Sequence, residues 1–312
     1  FYWVQTNIKY VAIENGYSGL IPRDAKDVFQ RRYGDCKDMS SIQNKMYTYA
    51  GLESHLVWIG TRDLPYTYEE LPTGSVDNHM IAVVKIDGKY YFTDGTAYFI
   101  SIDFPSDAIQ GKEALIGIDS AHFEVYKVPI VEKEKNKYVE DLQLSIVGDS
   151  LKGTGKISYS GYFMFDMNID LIRTPENKWK ELLSKKLSKG SNKCKLDSYK
   201  VDSIDRDKKL NIDYSFTLPS YMMKAGNSYY VNLNLDKNLQ NDKVDTSKQK
   251  FDKKFEFRNC VNYKTTLKIP IGYKIVKIPQ SSDYKNKYFG FDAQYKYDEK
   301  KQSDSRFSLS SL

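Results

Sequence analysis

Cys36, His79 and Asp94 are the residues of this chain whose types could carry chemistry together. Cys36 stands in "YGDCKDMSS", where Gly34 permits a tight approach, Asp35 is a good N-cap and the thiol falls on the first position of the helix that follows. Unpaired N–H groups and the helix dipole at that position stabilise a thiolate, and the same N–H groups suit an oxyanion. A nucleophile also needs a base, and the chain has three histidines, His55, His79 and His122. The segment "DNHMIAVVKIDGKYYFTDGT" selects His79, because Asp87-Gly88 is a strong two-residue hairpin signal. With that loop, Ile86 faces Lys89, Ile81 faces Asp94, and His79 faces Thr96. His79 and Asp94 then share one side of the sheet as diagonal neighbours, about 7–8 Å apart along the backbone. An aspartate so placed accepts the imidazole N–H and holds its tautomer.

The bland alternatives stay open on the residues alone. Cys36 reads equally as an inert buried thiol, Asp94 as a turn residue before Gly95, and His79 as a satisfied polar group. Metal ligation is excluded more firmly, because the chain contains no C-x-x-C and no H-x-x-x-H spacing. With three cysteines in all, Cys194 and Cys260 are free to pair and leave Cys36 alone.

The elements that must position these residues follow from the pattern. Residues 1–20 suit a short helix that stops at Asn15-Gly16, and Pro22 and Asp24 open a second helix. Met39, Ile42 and Met46 recur at helical spacing between Asp35 and Gly51. Strand patterns come next: "SHLVWIGTR", "HMIAVVKI", "KYYFTDGTAYFI", "ALIGID" and "HFEVYKV". Helices followed by strands predict an α+β domain over residues 1–132. After the charged stretch "VEKEKNKYV" the texture turns to alternating strands with one helix, "PENKWKELLSKKL". Residues 133–312 therefore read as a β-rich, β-sandwich-like domain, with a polar tract over 236–254 and a division into two sub-units near residue 246.

The whole chain of 312 residues fits two domains. Its net charge of +6 comes from 47 basic and 41 acidic residues mixed along the length, which gives no nucleic-acid footprint. No run of 18 apolar residues exists, so no transmembrane helix is expected. Opening on phenylalanine, the chain reads as a fragment or processed form.

The order cysteine at a helix start, then histidine, then aspartate on paired strands resembles the transglutaminase-like superfamily, whose fold is papain-like. "RRYGDCKDMSSIQNKMYTYAGLESHLVWIGTR" is similar to the nucleophile helix and following strand of the bacterial members. "VDNHMIAVVKIDGKYYFTDGT" is similar to their histidine and aspartate strands, "FPSDAIQGKEALIGI" to a segment that often follows, and "WVQTNIKYVAI" to their opening helix. The resemblance covers about residues 3–130. It implies a nucleophile helix packed on an antiparallel sheet, with Cys36 as nucleophile, His79 as general base and acid, and Asp94 as orienter. It also implies a bacterial periplasmic or cell-surface protein acting on a peptide or protein amide such as a cell-wall or surface peptide. Relatives with "GDCKD" usually carry a further β-rich domain upstream, and no cofactor is implied. Lys37 and Asp38 stand where the animal-type enzymes have an aromatic residue, and no acidic calcium cluster is evident. Hydrolysis or acyl transfer on an amide is thus the expectation, with a catalytically inactive module that binds peptide or glycan as the alternative. Trp3 and Gln5 carry side-chain N–H donors for a second oxyanion contact, and Asp77 and Asn78, just before His79, are candidates to line the cleft.

Overall fold

The computed structural model describes residues 1–13, 16–19, 21–73, 77–236, 247, 255–297 and 306–311. The chain forms two compact units, Phe1–Glu132 with Glu256–Arg258, and Lys133–Phe255 with Asn259–Leu312. Strands outnumber helices, and the class is α+β.

In the first unit, helix α1 (Tyr2–Asn7) ends well before the expected Asn15-Gly16 stop; Asn15 itself lies outside the described residues. The chain turns extended as strand β1 (Lys9–Tyr10), passes helix α2 (Ala25–Arg31), and pairs in parallel with strand β2 (Tyr33–Gly34). Pairing across the chain has overridden a weak local helical tendency, and its effect is to fix the backbone that leads into Cys36. Helix α3 (Cys36–Tyr49) follows, as the Met39, Ile42 and Met46 spacing predicts. Met39 and Ile42 pack with Val4, Ile8 and Val28 into a small core between the three helices.

Strands β3 (Glu53–Ile59), β4 (His79–Ile86), β5 (Lys89–Thr93), β6 (Glu113–Gly117) and β7 (Phe123–Lys127) make an antiparallel sheet in the order β5-β4-β3-β6-β7. The hairpin register is the one read from Asp87-Gly88: Ile86 pairs with Lys89 and Ala82 with Thr93. Asp87 and Gly88 have φ of 48° and 77°, the left-handed pair that a two-residue turn demands. The sheet curls until its edges touch, with Tyr90 of β5 packed edge-on against Tyr126 of β7 at 5.6 Å between ring centroids. Val57, Ile59, Ile81, Val83, Phe92 and Ile116 fill one side of the sheet, and Ala82 and Val84 meet Tyr47 of α3 on the other. Each such fully buried branched side chain contributes about 1.5–3 kcal/mol.

The second unit departs from the expected sandwich of facing sheets. Its strands β8 (Lys137–Val147), β9 (Ser150–Tyr159), β10 (Lys195–Val201), β11 (Leu210–Leu218), β14 (Cys260–Lys268), β15 (Ser282–Lys285), β16 (Gly290–Tyr297) and β17 (Arg306–Ser311) join in one sheet, ordered β10-β11-β9-β8-β14-β17-β16-β15. A short hairpin of β12 (Met223–Ala225) and β13 (Ser228–Tyr230) stands apart. Two helices, α4 (Tyr162–Arg173) and α5 (Trp179–Lys186), supply buried apolar residues where a second sheet was expected, among them Phe165, Leu171 and Leu183. The division near residue 246 and most of the polar tract over 236–254 lie outside the described residues.

Candidate functional site

The α3 N-terminus is built by side chains that fit only one another. Asp35 caps it, accepting from the N–H groups of Lys37 and Asp38, while Asp38 Oδ2 accepts from the Asp35 N–H at 3.2 Å, a reciprocal capping box. Asp38 also receives Arg23 three times, from its backbone N–H at 2.8 Å, Nε at 3.0 Å and a terminal nitrogen at 2.7 Å. Burial alone would raise the Asp38 pKa; the Arg23 contacts outweigh it and hold the carboxyl below its ordinary value. A Cβ on Gly34 would stand 2.5 Å from Asp38 Cβ, so glycine is required there by the buried aspartate behind it. Lys37 folds back on Asp35, 2.5 Å from Oδ2.

His79 opens β4 beside this helix start. Its Nε2 lies 3.0 Å from Asp94 Oδ2, and Cys36 is among the neighbours that act on the charge of the ring. Burial disfavours a charged imidazole, but the charge and hydrogen bond of Asp94, with Cys36 adding to both, push the His79 pKa up to about 10. Asp94 is buried, which by itself would raise its pKa. The charge and hydrogen bond of His79, with the hydroxyls of Thr96 and Ser106, bring it well below the ordinary carboxylate range.

Helix and hairpin are joined by polar contacts at the same place. The Ser40 hydroxyl lies between the carbonyl oxygens of Cys36 (2.7 Å) and Met80 (2.8 Å), tying the first turn of α3 to the residue after His79. Thr93 donates to Ala82 O at 2.9 Å across the hairpin. The strand expected to run on through "TDGT" stops at Thr93, and Asp94 turns the chain, with Oδ1 accepting the Thr96 N–H at 3.0 Å and its hydroxyl at 2.7 Å. Gly95 lets this turn lie against α3, since a Cβ would meet Gln43 Nε2 at 2.9 Å and Met39 Cβ at 3.2 Å.

The other sequence candidates are occupied elsewhere. The Trp3 ring stacks on Phe29 at 5.2 Å and carries the Arg32 guanidinium at 4.6 Å, a packing role between α1 and α2. Gln5 is buried and its Nε2 donates to Ala97 O at 2.6 Å, so it clamps the turn after Asp94. Asp77 accepts the Tyr68 hydroxyl at 2.5 Å. Asn78 pairs with Thr61 through both ends of its amide, at 2.8 and 3.0 Å, and pins the loop after β3. His55 lies 3.6 Å from Glu53, and His122 lies 2.7 Å from Asp119 on the surface. All three cysteines are free thiols. Among the described residues, no three His, Cys, Asp or Glu side chains are grouped to hold a metal ion.

Sequence reasoning missed Arg23, Ser40, Thr96 and Ser106. Thr96 was within reach, because Asp-x-Thr is a local turn in which the aspartate accepts from the residue two positions on. Arg23 and Ser106 come from other segments and carry no local signal, and neither does the bond from Ser40 to Met80.

No family model matches the chain, and no curated protein matches it. Among solved structures it is similar to a protein of Parabacteroides distasonis described as a "putative protease", at 10 % identity and a TM-score of 0.46, over 99 % of this chain and 43 % of that one. The chain therefore spans less than half the length of that protein.

Proposed function

We propose that this chain is a thiol enzyme of the transglutaminase-like, papain-like kind, cleaving or transferring the acyl group of an amide through Cys36, His79 and Asp94. The observation that carries the reading is the His79–Asp94 pair, 3.0 Å from Nε2 to Oδ2, at the start of the strand that Ser40 ties to the first turn of the Cys36 helix. The Cys36 sulfur attacks the amide carbonyl carbon, and the oxyanion that forms takes the Cys36 N–H at the helix start. His79 passes the proton on Nδ1 to the departing amine, the C–N bond breaks, and a thioester remains. Water or a second amine then attacks the thioester, giving its proton to His79. The acid or new amide leaves, and the sulfur returns to its starting state. Asp94 keeps the Nε2 proton directed throughout, the orienting role of a triad.

The substrate in this proposal is a peptide or protein amide at the cell surface or in the periplasm. Lys37 and Asp38, the residues after the nucleophile, are used up in fastening the helix start through Asp35 and Arg23, so neither is offered as a substrate contact. The test is the alkylation rate of Cys36 by iodoacetamide against pH, with peptide mapping to separate it from Cys194 and Cys260. The expected outcome is rapid reaction at pH 6 that His79→Ala slows on the order of 100-fold. An ordinary thiol profile with a midpoint of about 8.5, indifferent to His79, would leave an inactive peptide-binding module as the better reading.

A further inference from the structure

We propose that Ser106 is a positioning residue that fixes the Asp94 carboxylate against His79 from a separate, rigid part of the first unit. The inference rests on the reading of Cys36, His79 and Asp94 as one catalytic group. Ser106 immediately precedes a short 3-10 turn, Asp107–Ile109, in the extended conformation of an N-cap (φ −61°, ψ 148°). A serine there ordinarily turns its oxygen to the N–H groups of the turn. This one makes no such bond. Its hydroxyl instead donates to Asp94 Oδ2 at 2.8 Å, the oxygen that also faces His79, and the residue is 4 % exposed.

The two oxygens of Asp94 are thus held in different ways. Both contacts to Oδ1 come from Thr96, two residues along the same turn, and move with Asp94 if that turn shifts. Besides His79 itself, the contact among the described residues that ties the carboxylate to another segment is Ser106. That segment is itself anchored: Arg62 N–H donates to Ala108 O at 2.8 Å, Ile109 is wholly buried in the sheet core, and Gly111 N–H donates to Val128 O at 3.0 Å. Ser106 therefore transmits the position of the curled sheet to the oxygen that directs the His79 ring. The charged partner facing Asp94 is His79 from β4, with Cys36 of α3 beyond it; Thr96 and Ser106 bring hydroxyls without charge.

The His79 Nε2 proton reads this contact directly by proton NMR, identified by its loss in His79→Ala. In the wild-type chain it is expected downfield and slow to exchange with water. Ser106→Ala is expected to speed its exchange about tenfold in a chain that still folds, and Ser106→Thr, which keeps the hydroxyl, to restore it. A folded Ser106→Ala chain with wild-type exchange and chemical shift overturns the inference. Should Ser106→Ala not fold, Ser106→Cys and Ser106→Thr carry the comparison. The weaker S–H donor should speed exchange where threonine does not, and equal rates in the two overturn the inference. Iodoacetamide alkylation of the same samples keeps the two ideas apart. Low-pH reactivity with an Nε2 proton indifferent to Ser106 sinks the positioning role alone, whereas an ordinary thiol profile sinks the catalytic reading on which it rests.

Discussion

His79 and Asp94 hold one another's charge, and stability should record that pairing as a function of pH. The folded pKa of His79 lies above its ordinary 6.5, so the stability it contributes is whole below 6.5 and is lost as pH rises toward about 10. Asp94 lies below its ordinary 3.8, so its contribution is present above 3.8 and drains away as pH falls toward the lower folded value. The two describe one interaction, largest between those ordinary values. Asp94→Asn should therefore cost most stability in urea unfolding near pH 5, and the gap from wild type should close as pH approaches 10. A gap that stays constant from pH 5 to pH 10 would mean that the pair is not ionised in the folded chain.

At the scale of elements, the placement of Cys36 depends on how α3 begins. Asp38 has partners on both sides, the backbone N–H of Asp35 in its own cap and the Arg23 guanidinium from the segment before α2. Asp38→Ala removes both and leaves Arg23, whose side chain is 19 % exposed, without its charged partner and with the Tyr33 carbonyl at 2.8 Å, so a loss of about 1–3 kcal/mol is expected in denaturant unfolding. Gly34→Ala should do comparable harm from the opposite side, because its methyl group would stand 2.5 Å from Asp38 Cβ. Arg23→Lys tests the fork geometry: lysine keeps the charge but cannot bond Asp38 through two nitrogens, so most of the Asp38→Ala loss should reappear. Full stability in Arg23→Lys would reduce the pairing to simple charge. The cap and the hairpin were legible in the sequence because both are local: Asp35 lies one residue from the helix it caps, and Asp87-Gly88 sets the register that brings His79 to Asp94. The Arg23–Asp38 and Ser106–Asp94 contacts and the Ser40 bond to Met80 were not, because each forms only after the chain has folded back over a dozen residues or more. The end of α1 at Asn7 was missed for the same reason, since the pairing of Lys9–Tyr10 with Tyr33–Gly34 is decided elsewhere in the chain.

For the molecule as a whole, the sequence separated a mixed half from a β-rich half but misjudged what covers the second sheet. The run Tyr162, Phe165, Asn168, Leu171 is buried at helical spacing on α4, yet it follows directly on the strand β9 and its alternation masks the change of period. Within this unit lies a charge cluster that no local pattern announces. Lys189, 2 % exposed, stands 2.9 Å from Glu140 and 3.6 Å from Asp236, and the Tyr214 hydroxyl donates to Glu140 at 2.6 Å. Ions removed from water in this way stabilise only as a set, and removing one leaves the other buried without a counter-charge. Lys189→Met should therefore destabilise the second unit by about 3–5 kcal/mol, read from faster hydrogen exchange in peptides of β8 and β11. Glu140→Gln added to it should recover most of that loss, because glutamine still accepts the Tyr214 hydroxyl and carries no charge. Asp236 does not interfere with the comparison, since it is 17 % exposed and keeps the Tyr263 hydroxyl at 2.9 Å. If the double variant exchanges as fast as Lys189→Met, the cost comes from lost packing of the lysine stem, and the buried charge of Glu140 is not its source.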